Sequence, residues 1–196
     1  MARSSRWYAF ILVALFSVPA FGAGTNTPSI PKTKGAVRTV GLFNFLCLKQ
    51  LPDLEGIERA AGFGEFDQLT GEDARPYRPQ APAERFLAWR YHDHGEPFVL
   101  TASRGRPDEQ LKKAAPAFAA GTVAACSLRA PGAGQDLIGE LTRIMGRPAD
   151  MPPQAPSANA HTWSHQQGNA LSRVVLYAPE KPGAPAVLSA SVLLKN

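Results

Sequence analysis

Six side chains in this sequence are of the types that most often do chemistry: the two cysteines, Cys47 and Cys126, and the four histidines, His92, His94, His161 and His165. His92 and His94 lie two apart in Tyr-His-Asp-His-Gly, and His161 and His165 four apart in His-Thr-Trp-Ser-His. Both spacings place a pair on one face of a strand. If the two pairs were neighbours, their imidazoles would converge on zinc, copper or nickel, all of which accept nitrogen ligands. Against that, no glutamate is spaced as in a His-Glu-x-x-His helix, and His94 falls in a turn. A one-residue slip in register would also point the set apart. Ordinary, partly exposed histidines are therefore the favoured reading, and a zinc or copper site is the alternative.

Other chemistry is thinly represented. The chain has no Gly-x-Ser-x-Gly elbow, no Ser-x-x-Lys, no phosphate loop and no dinucleotide fingerprint. A triad can be assembled without a local motif, so a hydrolase stays as a second alternative while no catalytic residue is named. Glu65, Asp67, Glu72 and Asp73 form an acidic patch without the Asp-x-Asp-x-Asp-Gly spacing of a calcium loop, and read as a solvated face. Trp89, Arg90 and Tyr91, with Trp163, form the candidate binding surface. On an open sheet face these rings would make a rigid platform; facing helices they would be core, which is favoured because a sheet carrying three helices needs large residues beneath them.

The elements that must position these residues begin after an apparent leader. Arg3 and Arg6 precede an apolar run from Tyr8 to Val18, closed by small residues, so residues 1–23 are expected to be a secretory signal peptide. The run is too short for the ~20 residues that span a bilayer. Residues 24–39 are expected to be a flexible segment, and residues 40–196 one domain. Two cysteines in an exported chain are expected to form one disulfide, Cys47 to Cys126; neither sits in a Cys-x-x-Cys motif that would favour a reactive thiol.

Val40 to Leu51 has helical spacing and is apolar on two faces, which predicts a buried helix carrying Cys47. Pro52 and Asp53 start a second helix with Leu54, Ile57, Ala60 and Ala61 facing inward. From Glu65 to Glu84 no periodicity survives, and a loop or extended crossing is expected. Residues 85 to 103 alternate around Asp93, His94, Gly95 and Glu96, and read as a β-hairpin. A short helix over Asp108 to Ala115, a strand over Thr122 to Leu128 with Cys126, and an amphipathic helix over Gln135 to Met145 follow. The last third reads as three strands, His161–His165, Leu171–Tyr177 and Ala186–Leu194. The fold class is thus α+β: an antiparallel sheet of five to six strands, with two N-terminal helices and one mid-chain helix packed on it.

The leader, the Phe- and Leu-rich helix with one cysteine, Arg-Phe-Leu-Ala-Trp-Arg-Tyr and Ala-Ala-Cys-Ser-Leu-Arg-Ala together resemble small exported proteins of Gram-negative bacteria that have no assigned activity. The resemblance covers roughly residues 40 to 130. It implies a periplasmic or secreted address and one disulfide, and carries over no catalytic residue. The formal charge of +5 falls to about +3 if Arg3 and Arg6 leave with the leader, too small and too spread for a nucleic-acid surface. The expected function is binding, without a cofactor, to a protein or another envelope component. An inhibitor or immunity protein for an envelope enzyme is a special case.

Overall fold

A computed structural model describes residues 35–93, 96–130, 137–150, 160–178 and 184–195. The expected signal peptide lies outside the described residues, as does most of the proline-rich connector after Asp150. The chain forms one seven-stranded antiparallel sheet in the order β1-β2-β3-β4-β7-β6-β5. The strands are β1 (Asp67–Leu69), β2 (Ala83–Asp93), β3 (Glu96–Gly105), β4 (Thr122–Ala130), β5 (Ala160–Gln167), β6 (Ala170–Tyr177) and β7 (Ala186–Leu194). Strands β1 to β4 and β5 to β7 are two meanders, joined where β4 pairs with β7 along its whole length. The mid-chain helix α5 (Leu137–Met145) carries the chain from β4 in the middle of the sheet to β5 at its far edge.

One face of the sheet is apolar because every second residue of each long strand is. Trp89 on β2, Leu100 and Ala102 on β3, Cys126 and Leu128 on β4, Leu188 and Ala190 on β7, Leu176 on β6 and Trp163 on β5 all belong to one buried cluster. The other side of that cluster comes from α1 (Gly35–Phe43), α2 (Leu54–Phe63) and α5. In α2, Leu54, Ile57, Ala60 and Ala61 face inward, as their spacing predicts. Arg85 on β2 fixes α2 from outside the core by pairing with Glu55 and Glu58 of successive turns. In α5, Leu137 and Leu141 are buried, and Ile138, Ile144 and Met145 pack on the cluster.

The N-terminal helix departs from the expected one at both ends. It begins at Gly35, within the segment expected to be flexible, because Val40, Leu42 and Phe43 are buried and the turn ahead of them comes with them. It then widens over Asn44–Leu48 into a π-helical turn, in which the Lys49 amide donates to the Asn44 carbonyl at 3.0 Å. Leu46 and Cys47 on this turn point into the core, and the Cys47–Cys126 disulfide joins it to β4 with Cα atoms 5.5 Å apart.

The region from Glu65 to Glu84, expected to be irregular, supplies a seventh strand. β1 pairs Asp67, Gln68 and Leu69 with Arg90, Trp89 and Ala88. Three residues are too few to show alternation. A four-residue helix, α3 (Gly71–Ala74), and a 3₁₀ turn over Arg75–Tyr77 then fold onto the second face of the sheet. There Leu69, Ala74, Ala88 and Val99 make a small separate core under Tyr77 and Phe86. The short helix before β4 is present as α4 (Glu109–Ala114), with the Asp108 carboxylate accepting from the Leu111 amide at 2.7 Å; Pro116 restarts the chain as a 3₁₀ turn.

The disulfide closes a separation of 79 residues and both sulfurs are buried. In the chain-entropy account such a bond contributes about 4.5 kcal/mol. We therefore expect Cys47→Ser with Cys126→Ser to lower the urea midpoint by an amount worth about 3 to 5 kcal/mol; equal midpoints for the variant and the oxidised protein would contradict this. Gly121, just before β4, has its Cα so close to the Leu194 carbonyl that an added Cβ would sit 2.0 Å from that oxygen. Because the obstacle is backbone, Gly121→Ala is expected to cost about 2 kcal/mol or more, read as a fall in Tm of several degrees.

Candidate functional site

The structure separates the histidines. On β2 the residues that face the helices are Leu87, Trp89 and Tyr91, so His92 projects from the second face. On β5, His161 and His165 share a side with the buried Trp163, on the helical face. β2 and β5 are also five strands apart in the sheet order, about 24 Å at the usual strand spacing. His94 lies outside the described residues. The convergence that a metal site required is thus not met by His92, His161 and His165, and no group of three His, Cys, Asp or Glu side chains able to hold a metal occurs among the described residues.

The proposed aromatic surface is corrected in the same way. Trp163 is 0% exposed and Trp89 is 3% exposed, both beneath the helices. The Trp163 indole donates to the Arg147 carbonyl at 3.1 Å. Tyr91 is half-buried, stacked on Phe66 with ring centroids 4.9 Å apart, and its hydroxyl accepts from Arg38 at 3.1 Å. These rings are core, and substituting them would report on folding. Of the four residues only Arg90 projects from the second face, half-exposed. The disulfide is equally inaccessible, so thiol exchange has no route to it.

What remains available is the second face over β3, β4, β7 and β6. Thr101, Ser127, Ser189 and Val175 lie directly opposite one another across these strands. The Ser127 and Ser189 hydroxyls are hydrogen-bonded at 3.0 Å. The next row on one side is Ser103, Ala125, Ser191 and Arg173; on the other it is Arg90, Val99, Arg129, Val187 and Tyr177. Threonine and serines are half-exposed, Arg129 and Arg173 are exposed, and Tyr177 is 48% exposed. The surface is a shallow floor of small hydroxyl-bearing side chains with guanidinium groups at its borders.

Toward β2 this floor runs into a cleft of about 200 Å³, walled by Pro79, Ala81 and Pro82 on one side and Leu111 on the other, with Ser103, Ala125 and Ser191 beneath. It opens into a broader hollow of about 530 Å³ lined by Glu84, Arg106, Glu109 and Lys112. The charged groups there are engaged with one another: Arg106 with Glu84 at 3.7 Å, and Lys112 with Glu109 at 2.7 Å. Asp108 is occupied as the cap of α4. Among the described residues no histidine or carboxylate is hydrogen-bonded to Ser127 or Ser189, so neither serine has the adjacent base that would activate it.

The sheet edges are short or partly covered. β1 is three residues long. β5, the other edge, is covered by the segment after α5: the Asp150 amide donates to the Thr162 carbonyl at 2.7 Å, the Ser164 amide donates to Asp150 Oδ2 at 2.5 Å, and Arg147 donates to the Ser164 carbonyl at 2.6 Å. Arg147 also pairs with Asp150. Such plugs stop strand-to-strand addition. Arg129 and Arg173 were not singled out in the sequence, although both stand where a polar residue alternates with apolar ones in their strands.

No protein-family model, no curated protein and no solved structure matches this chain.

Asp150 titrates below the ordinary carboxylate value of 3.8, first because Arg147 donates to it and then because the Ser164 amide does. A depressed folded value means that its stabilisation is present above the unfolded value and is lost as pH falls through the folded one. With both side chains over a third exposed, solvent screening limits the effect. Asp150→Asn is expected to cost about 1 kcal/mol at pH 7, and the gap to the parent should narrow as pH falls below the ordinary carboxylate value of 3.8. A stability gap that persists unchanged to pH 2 would refute this.

Proposed function

We propose that this chain is an exported, disulfide-stapled binding protein of the bacterial envelope, which engages a protein partner through the uncovered part of its sheet. An inhibitor or immunity protein for an envelope enzyme is the special case that this architecture suits. The observation that carries the reading is that Arg90, Arg129 and Arg173 share one sheet face, where none of them is ion-paired among the described residues. Among the described residues eight ion pairs are formed, none of them by Arg90, Arg129 or Arg173, although Arg129 lies over the Tyr77 ring.

Further support comes from what the face lacks. A hydroxyl floor without a general base offers hydrogen bonding and no activation of a nucleophile. The inaccessible disulfide supplies rigidity, which lowers the entropy lost when a surface is held for docking. Among the described residues no helix is long and apolar enough to cross a membrane.

A photo-crosslinking residue in place of Ser189, introduced into the full chain in its native host, is expected to yield a discrete adduct. The same residue in place of the exposed Phe63, on the helical side, is the control. Adducts of equal intensity at both positions, or at Phe63 alone, would remove the sheet face as the working surface.

A further inference from the structure

Resting on that reading, we infer that the partner presents carboxylates: the second face of the sheet is a docking site for an acidic protein surface, with Arg129 and Arg173 as its anchors. The register sets the spacing. Arg90 and Arg129 stand in one row on strands two apart, about 10 Å. Arg129 and Arg173 are two strands and four residues apart, about 17 Å along the diagonal. These are backbone spacings, and the wider one, between Arg129 and Arg173, favours separate acidic groups over one small anion. The spacings suit several carboxylates carried on a folded surface, each met by a guanidinium fork.

Between the anchors, Thr101, Ser127 and Ser189 present hydroxyls that both donate and accept, and their small side chains let a partner come close to the sheet. Among the described residues the acidic side chain paired in register with an arginine of this face is Asp67, at the β1 edge, where it offsets Arg90 and is distant from Arg129 and Arg173. An anionic polysaccharide would share the carboxylate chemistry, but it would be held in part by sugars stacking on aromatic rings. Of the rings on this face among the described residues, two are already covered, Arg129 lying 5.9 Å from the centroid of Tyr77 and Arg78 5.6 Å from that of Phe86, and Tyr177 is left as a single open ring where a sugar chain would use several. The geometry therefore favours protein over glycan.

The test compares two carboxylate polymers, poly-L-glutamate and polygalacturonate, added to the ¹⁵N-labelled mature chain. Poly-L-glutamate is expected to shift the amide resonances of Thr101, Ser127 and Ser189 and to bind more weakly as salt is raised. Arg129→Glu with Arg173→Glu should weaken it at least thirtyfold. Arg59→Glu with Arg143→Glu changes the net charge equally on the helical side and should weaken it less than threefold. Both double variants alter exposed side chains, and an unchanged Tm confirms that they fold. Tighter binding of polygalacturonate, shifts lying away from the three hydroxyl residues, or equal losses in the two double variants would each overturn the inference. If the Ser189 adduct of the preceding section persists in Arg129→Glu with Arg173→Glu, the acidic partner is refuted while the binding face stands; if it never forms, the face itself is refuted.

Discussion

The bond between Cys47 and Cys126 is the constraint on which the arrangement depends, because each sulfur belongs to an element that organises one layer. Cys126 is on β4, the strand that joins the two meanders into one sheet. Cys47 is on the π-helical turn between α1 and α2, so the bond holds both N-terminal helices to the middle of the sheet. A regular α-helical turn would advance the side chains at fixed intervals of about 100°. The wider turn inserts one residue into that progression and lets Leu46 and Cys47 both point inward. With the layers fixed there, Leu100, Leu128 and Leu188 on three adjoining strands are fully buried beneath the helices.

This arrangement divides the sheet into two surfaces of opposite character. The helical face takes the large rings that the strands offer it, Trp89 and Trp163 included, and the Trp163 indole finds its partner in the Arg147 carbonyl. The second face is covered only near β2 and β3, by the Gly71–Tyr77 segment, and at one end by α4. Over β4, β7 and β6 it is built mostly from serine, alanine and valine, with Leu171, Tyr177 and the buried Leu193 as the larger side chains and Arg129 and Arg173 as the charged ones. Apart from the end of the face where Leu193 is buried, it offers few large apolar side chains and so has little to gain from being covered within the same chain, since buried apolar area is what stabilises a covering layer.

Much of this was legible in the residues. The hairpin over residues 85 to 103, the strand around Cys126, the helix ending at Met145 and the three final strands follow from alternation and helical spacing, and the cysteine pairing from there being two. What was hidden had too little sequence for a period to show. β1 is three residues long, and its pairing with β2 depends on Leu69 reaching a separate small core that only the folded sheet creates. The start of α1 was obscured by the Pro-, Thr- and Lys-rich residues just ahead of it. The histidines illustrate the limit of local spacing: the interval of four does put His161 and His165 on one face of β5, yet which face a strand turns to its helices depends on register across the whole sheet. The aromatic residues were legible as strand residues, and the demand for bulk beneath three helices decided their direction.

The same closure that protects the sheet narrows how a partner can reach it. Addition of a strand is disfavoured at one edge by the brevity of β1 and in the middle of the other by Asp150 and Arg147, whose hydrogen bonds occupy outward groups of Thr162 and Ser164. The helical side is tied by ion pairs such as Arg59 with Asp53 and Arg143 with Glu140, which leaves those cations little to offer a ligand. A flat face crossed by short hydroxyls then remains, and its cations are held apart by the strand spacing itself. Since strands keep their separation far better than loops do, arginines placed on them form a pattern of charge that hardly changes before contact. Under the proposed function, recognition by such a face would rest on matching positions that already exist, with selectivity set by geometry and strength by how completely water leaves the guanidinium pairs.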